Sequence, residues 1–452
     1  MTRVLVVAYY FPPKGGAGTQ RFAKFCKYLP EHGIDPIVLS VGADLRNPSA
    51  PHDDPTLLAD LPEHVERVCD PEHVSWRLRL SRKLRLHIDE DEWAAAASQR
   101  AVAMVREHKP EAVVTTLSPY ACYRIGERLK REFDLPWILD LRDPWALDGW
   151  RRYRTYLHAR HDLAHMKRAL RAADFVIANV PEAAAAYVAL GADPARTVVI
   201  PNGFDEEDFA REQAKVLPDD GRFQLVHMGT FHAANAAPGL TRNTLSWCRH
   251  RQLEPLGRTG FYLLQAMSML KKRSPATYRR LCVHLFGNVD ATHREVIDAL
   301  GVNDGLSMHG YISHRDSIAA LCCADGVFVP LHGVPAGERA LVVPGKLYEA
   351  LASERAVLCA LPPGDGADLV RGLGAGIVVP ATDAEALCDA LATMIERHAR
   401  GEPVRGCSRE AVAAFTRRHL TGLLAQVLRA AVQRQSGVTV ENPWHSLPAV
   451  RA

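Results

Sequence analysis

The chain has 452 residues, 47% hydrophobic and 24% charged, which is too long for one comfortable core and ordinary for a globular protein, so two domains are expected. A formal charge of +3, dispersed along the chain, is too weak for a nucleic-acid footprint. Ten cysteines, several inside apolar runs and none in a CxxC pair, suit a reducing cytoplasm better than a secreted disulfide scaffold.

The chain starts MTRVLVVAYYFPP. Its apolar run stops at two prolines with no small-residue cleavage site, so it reads as a first buried strand and not as a signal peptide. No run reaches the roughly 20 apolar residues of a bilayer span. Short apolar, β-branched runs then recur: VLVVAYY (4–10), PIVLSV (36–41), AVVTTL (112–117), WILDL (137–141), FVIAN (175–179) and TVVIPN (197–202). Helix-like stretches such as QRFAKFCKYLPEHG and SPYACYRIGERLKREF lie between them. Continuous apolar strands, each followed by a helix, predict a parallel sheet covered on both faces.

The pattern restarts after a charged, turn-rich stretch near 204–222 that reads as a linker. FQLVHMG (223–229), LCVHLFG (281–287), LSMHGY (306–311), GVFVPL (326–331), AVLCAL (356–361) and GIVVP (376–380) form the second set. A last helix over about 408–435 has no strand after it, and the remaining residues read as a loosely held tail. The expected domains are 1–205 and 206–405, with 406–452 as C-terminal helix and tail. Both are Rossmann-like, with ligands at the carboxyl ends of the strands.

Polar motifs fall at those ends. After the first strand, Gly15, Gly16 and Gly18 open directly into a helix, where backbone can approach an anion closely. Arg21 occupies the third position of GxGxxG, so the dinucleotide fingerprint is incomplete, and a tight turn without ligand stays open. In WILDLRDPWALDGW (137–150), where Asp140 also falls, Asp143 is a candidate base or sugar-hydroxyl partner and Arg142 a candidate phosphate contact; the alternative is a local ion pair capping the following helix. HMGTF (227–231) offers Gly229 and Thr230 at a second phosphate-facing turn. In VVPGKLYEALASERAVLCAL (342–361), Pro344 and Gly345 set a turn, Lys346 supplies a cation, and Glu349 is placed in the first turn of the helix. A carboxylate there accepts two hydroxyls, as from a ribose; the alternative is a Glu that complements the helix dipole.

YYFPPKGGAGTQRFAKFCKYLPEHGIDPIVLS, IPNGFDEEDF and VPGKLYEALASERAVLCAL, in this order and spacing, resemble the retaining family-4 glycosyltransferases across most of the chain, and DLRDPW is similar to one subgroup. The resemblance implies a GT-B fold, with acceptor mainly on the first domain and donor mainly on the second. It also implies transfer of a sugar from a nucleotide-diphosphate sugar with retained anomeric configuration, and no metal or other cofactor in the site. It gives Glu349 the nucleotide ribose and sets Gly15 and Gly16 against the donor phosphates and sugar. Lys346, Gly345, Gly229 and Thr230 fall among the donor contacts. The sequence departs from the family pattern in three places. Leu341 stands eight positions before Glu349, where the family has a second glutamate, and Glu338 is the nearest substitute. After Gly229 a long polar connection replaces the usual diphosphate-gripping pair and offers Arg242, Arg249, Arg251 and Arg258. TTLSPYA lacks the histidine common in the acceptor cleft.

His158, His161 and His165 share a helix face crowded by Arg160, Lys167 and Arg168, which reads as solvated and not metal-binding. SWRLRLSRKLRLHIDEDEW (75–93) interleaves leucines with cations; it can meet an anionic membrane or pack on the core with a wet basic face. The expectation is a cytoplasmic glycosyltransferase acting on a sugar, lipid-linked or small-molecule acceptor, peripheral to the membrane if that segment binds it. The rivals are another GT-B chemistry, such as a nucleotide-sugar epimerase or a pseudo-glycosyltransferase, and a silent relative that binds nucleotide-sugar.

Overall fold

The computed structural model describes residues 1–13, 15, 17–42, 57, 64–68, 90–153, 155–210, 216–229, 231 and 249–445. They fall into two compact units. The first holds the described residues of Met1–Asn202, Leu245–Arg251 and Phe415–His445, and the second those of Gly203–Thr244 and Gln252–Ala414.

In the first unit the order is β1 (Thr2–Ala8), α1 (Ala17–Tyr28), β2 (Ile34–Val41), β3 (His64–Val68), α2 (Glu90–His108), β4 (Ala112–Leu117) and α3 (Tyr123–Phe133). It continues with β5 (Trp137–Leu141), α4 (Tyr156–Ala172), β6 (Phe175–Ala178), α5 (Pro181–Ala189) and β7 (Thr197–Val199). The second unit follows with α6 (Glu206–Ala210), β8 (Phe223–Met228), α7 (Phe261–Arg273), α8 (Pro275–Tyr278), β9 (Leu281–Phe286), α9 (Ala291–Leu300) and β10 (Leu306–Gly310). Then come α10 (His314–Cys323), β11 (Gly326–Pro330), α11 (Gly345–Ala352), β12 (Ala356–Ala360), α12 (Asp365–Leu373), β13 (Gly376–Val379) and α13 (Ala384–Ala399). The last element among the described residues is α14 (Arg417–Val432), back in the first unit.

The first sheet has seven strands in the order β3-β2-β1-β4-β5-β6-β7, and the second has six in the order β10-β9-β8-β11-β12-β13. Every pairing within them is parallel. Burial explains the composition: β4, β5, β8, β9, β11 and β12 are buried along their whole length, so both faces are apolar. The GT-B architecture expected from the sequence is therefore present, two Rossmann-like units each with a switch in strand order. The switch lies between β1 and β4 in the first sheet and between β8 and β11 in the second, and each opens a crevice at the strands' carboxyl ends.

Two expectations about the rest of the chain change. The edge strand β3, HVERV, carries no apolar run and is only partly buried, so it gave no continuous strand signal. The C-terminal segment is not a loose appendage through residue 445. Leu420, Leu423, Leu424, Val427 and Leu428 of α14 share one core with Val4, Val6, Phe22, Val114, Ile138 and Phe175, and Val438 and Val440 pack against it. Trp444 meets Phe415 edge-on at 5.3 Å. Each buried leucine stabilises this arrangement by about 1.5–3 kcal/mol relative to exposure.

Candidate functional site

The second unit's switch crevice is built by β8 and α11. At the end of β8 the Gly229 N–H donates to Phe286 O at 2.7 Å, and its φ of +117° bends the chain away from the sheet. A Cβ on Gly229 would lie 2.3 Å from Nζ of Lys346, so the missing side chain is what admits the ammonium. Lys346 is the second residue of α11, which begins at Gly345 behind Pro344. The first N–H groups of a helix have no intrahelical acceptor, so this turn presents donors and a positive dipole end beside the lysine.

Leu347, Tyr348, Ala350, Leu351 and Ala352 bury the inner side of α11. Gly345, Lys346 and Glu349 remain half-buried on the other side, at spacings that bring them together on one face. Glu349 thus lies in the second turn, and the first turn holds no acid. The expectation of a first-turn glutamate is corrected, because the helix starts earlier than the apolar pattern suggested. Burial lowers the Lys346 pKa from its ordinary value, the Glu349 carboxylate pulls it back up, and the Arg258 charge lowers it further.

Arg258 is the residue that sequence reasoning could not single out. It sits in a 3-10 turn, Pro255–Thr259, whose start is capped by Glu254 accepting from the N–H groups of Leu256 and Gly257 at 3.0 Å each. Gly257 packs so closely that a Cβ would lie 2.5 Å from Leu331 O, just past β11. The turn is thereby held at the end of β11, the other strand of the switch, and Arg258 comes within electrostatic reach of Lys346. The sequence signal was the short RTG immediately before the apolar helix α7, separated from Gly229 by the long connection.

His227, inside β8, supports this turn from below. Its Nδ1 faces Phe328 O at 3.1 Å, its ring stacks on Phe231 at 4.4 Å, and burial lowers its pKa to about 3. A neutral ring under the lysine adds no competing charge. Glu338 lies in the connection from β11 to α11, where its N–H closes a turn to Pro335 O at 3.0 Å. It is half-buried, while Leu341 occupies the position of the family's second glutamate. Thr230 lies outside the described residues.

At the carboxyl edge of the first sheet, Asp140 and Arg21 form a buried ion pair, with side chains 0% and 1% exposed. Arg21 Nη2 donates to Asp140 Oδ1 at 2.7 Å and its Nε to Oδ2 at 3.3 Å. The same guanidinium donates to Pro201 O and Ile200 O at 2.7 and 2.9 Å, and the Thr116 hydroxyl donates to Asp140 Oδ2 at 2.7 Å. The third glycine position of the incomplete fingerprint is thus an arginine with a structural task. Arg142 is spoken for as well: it donates to Gly18 O and, at 3.1 Å, to Ser118 O. Two of its donors are thereby committed to backbone carbonyls. Asp143 remains 46% exposed, 3.6 Å from Arg142 Nε. Gly15 is buried next to the start of α1; Gly16 lies outside the described residues, as do Arg242 and positions 75–89.

His165 lies between Tyr123 and His161, 2.5 and 2.8 Å from them, and the His158 ring meets the Thr155 hydroxyl at 2.8 Å. The described group closest to a metal-ligand set is Glu66, Glu107 and His108, and Arg100 already pairs with both carboxylates. No described helix is long and apolar enough to cross a membrane.

A model of the glycosyl transferase 4-like domain matches residues 15–203, and one of the glycosyl transferases group 1 matches residues 258–397. No curated protein matches the sequence at a significant level. Among solved structures, the fold is similar to Anabaena HepE in complex with UDP and glucose, at TM-score 0.62 and 18% identity over 95% of this chain and 100% of that one. It is similar to a sucrose-phosphate synthase from Thermosynechococcus elongatus, at TM-score 0.62 and 15% identity over 96% and 100%. An E. coli trehalose-6-phosphate protein bound with UDP-2-fluoro glucose superposes at TM-score 0.59 and 12% identity over 96% and 99%. At these identities the structural likeness speaks for the fold, and the two matched domains speak for the family: the chain is a glycosyltransferase of the GT-B type.

Proposed function

We propose that the protein transfers a sugar from a nucleoside-diphosphate sugar to an acceptor hydroxyl with retention of anomeric configuration, as the retaining family-4 enzymes do. The observation that carries this reading is the group at the β8–β11 switch: Gly229 yielding to Lys346, Arg258 close by, and Glu349 on the same helix face as the lysine. In this reading Lys346, Arg258 and the first N–H groups of α11 hold the diphosphate and stabilise it as it departs. Glu349 accepts the two ribose hydroxyls, and Gly229, Thr230 and Gly345 let backbone approach the donor. Gly15 and Gly16 supply a second close approach on the first unit, and Asp143 and Glu338 are the carboxylates assigned to the reacting sugar and acceptor. The neighbouring structures solved with UDP or a UDP-sugar support a nucleotide-sugar donor. Positive charge comes from the side chains, so turnover is expected to persist in chelator.

A labelled-donor assay tests the reading. UDP-, GDP-, ADP- and TDP-sugars are incubated with the protein, and release of free sugar is followed with and without candidate acceptors. One donor is expected to be hydrolysed slowly alone and consumed faster with acceptor, giving a product whose anomeric proton coupling matches the donor. An inverted product rules out retention, and a product without a glycosidic bond favours an epimerase or pseudo-glycosyltransferase. Leu341 in place of the second glutamate favours one other reading, a nucleotide-sugar-binding relative without turnover. Donor binding with no hydrolysis of any sugar would select it.

A further inference from the structure

Helix α4 carries a face that the donor chemistry does not use. Tyr156 and Leu157, adjacent at its start, are 62% and 75% exposed. Leu157, Arg160, Ala164, Arg168 and Arg171 are all exposed, and their spacing sets them on one straight stripe of a helix about 25 Å long. The opposite stripe, Ala159, Met166, Ala169 and Leu170, is buried in the first unit. Lys167, Arg168 and Arg171, with Ala164 and Ala172, line a shallow depression of about 420 Å³. Arg152 adds an exposed cation before the helix, and the Arg160 guanidinium lies 5.9 Å from the centroid of the Tyr156 ring.

The acids nearby do not cancel this charge. Asp162 is turned inward onto Arg151 at 2.6 Å and onto Tyr153 and Trp145, and Glu127 neutralises Arg168 alone, at 2.9 Å. Arg152, Arg160, Lys167 and Arg171 have no carboxylate within 4.0 Å among the described residues. An exposed Tyr–Leu pair wants a non-aqueous neighbour, while the uncompensated cations want anionic oxygens in the same plane. A flat anionic bilayer offers both to a straight helix that lies along it.

We propose that α4 is a docking face for an anionic phospholipid surface. Tyr156 and Leu157 enter the boundary between headgroups and acyl chains, and Arg152, Arg160, Lys167 and Arg171 meet headgroup phosphates. The proposal uses no residue of the basic segment at 75–93 and does not depend on the sugar-transfer reading. The test is co-sedimentation of the full chain with vesicles of phosphatidylcholine alone or mixed equally with phosphatidylglycerol, at low and high salt. The wild type is expected to sediment with the mixed vesicles at low salt and to be released by high salt. Each cation is worth about a fivefold change in partition, so Arg160→Gln/Lys167→Gln/Arg171→Gln together should cost about 100-fold. Arg160→Lys/Arg171→Lys should bind as wild type, and Leu157→Ser alone should weaken binding several-fold, which decides the matter if the triple variant melts early. Wild type that ignores phosphatidylglycerol overturns the proposal. So do glutamine and serine variants that fold and sediment as wild type does, because another surface then holds the membrane.

Discussion

Gly229 and Lys346 occupy one space: a side chain on the glycine would begin 2.3 Å from the lysine's ammonium. Gly229→Ala is therefore expected to act in two ways. At φ +117° an alanine is strained and should destabilise the second unit by ~1–2 kcal/mol. It should also displace the ammonium and weaken diphosphate binding. Replacing Lys346 by Met should weaken that binding by ~10- to 100-fold through loss of a charge-assisted contact. In the Lys346→Met background the alanine's effect on binding should shrink to what its own contact with the donor costs, while its effect on stability persists. Additive losses in binding would mean that Gly229 does not act through Lys346.

The Arg21–Asp140 pair is predicted to be structural. Asp140→Asn leaves a buried guanidinium without its counter-charge, which should cost about 3–5 kcal/mol in denaturant unfolding of the first unit. Thr116→Val removes one hydrogen bond to the carboxylate and should cost less, about 1 kcal/mol. Arg21→Met combined with Asp140→Leu should recover much of the loss. A full-strength Asp140→Asn protein would show that the carbonyls of Ile200 and Pro201 suffice to hold Arg21.

Acid should weaken the second unit through two buried histidines. The Gln224 amide donates to Asp220 and Arg222 O, so its Oε1 accepts from His284 Nε2 at 2.6 Å, which leaves His284 Nδ1 to accept from His309 at 2.9 Å. Burial and then the His309 charge lower the His284 pKa to about 4, and burial lowers that of His227 to about 3. Both values lie below the unfolded value of about 6.5. The unfolded chain therefore binds more protons in that window, and the stability these groups contribute is full above pH ~6.5 and lost as pH falls toward the folded values. Each contributes a slope of up to ~1.4 kcal/mol per pH unit there. Melting measured from pH 7 to 4.5 should show a shallower fall for His284→Gln than for wild type. An unchanged slope would mean that His284 titrates at its ordinary value.

Twelve of the strands were legible as short runs rich in apolar residues, most clearly β4, β5, β11 and β12, which are buried along their whole length and have no room for polar alternation. HVERV escaped because it sits at an edge with partly exposed side chains. Lys346 and Glu349 were legible because they are close in sequence on one helix. Arg258 was not, since its position depends on Gly257 fitting against Leu331 O, a contact between distant stretches of chain. Arg142 looked like a phosphate contact because its backbone partners were equally invisible in the sequence. Its carbonyl partners, Gly18 and Ser118, lie 124 and 24 residues away along the chain. The residues after the last helix read as a loosely held tail because so few of them are apolar, yet Val438 and Val440 pack against the first core.

Glu349 and Lys346 are predicted to face a nucleoside diphosphate. Thermal melting with UDP, GDP, ADP and TDP, for wild type, Glu349→Ala and Lys346→Met, tests it most directly. A diphosphate at about 100 times its dissociation constant should stabilise wild type by roughly 2.7 kcal/mol. One base is expected to raise the wild-type midpoint, with the shift lost in both variants while their ligand-free midpoints stay near wild type. A nucleotide that stabilises all three proteins equally would place the diphosphate elsewhere and contradict the account.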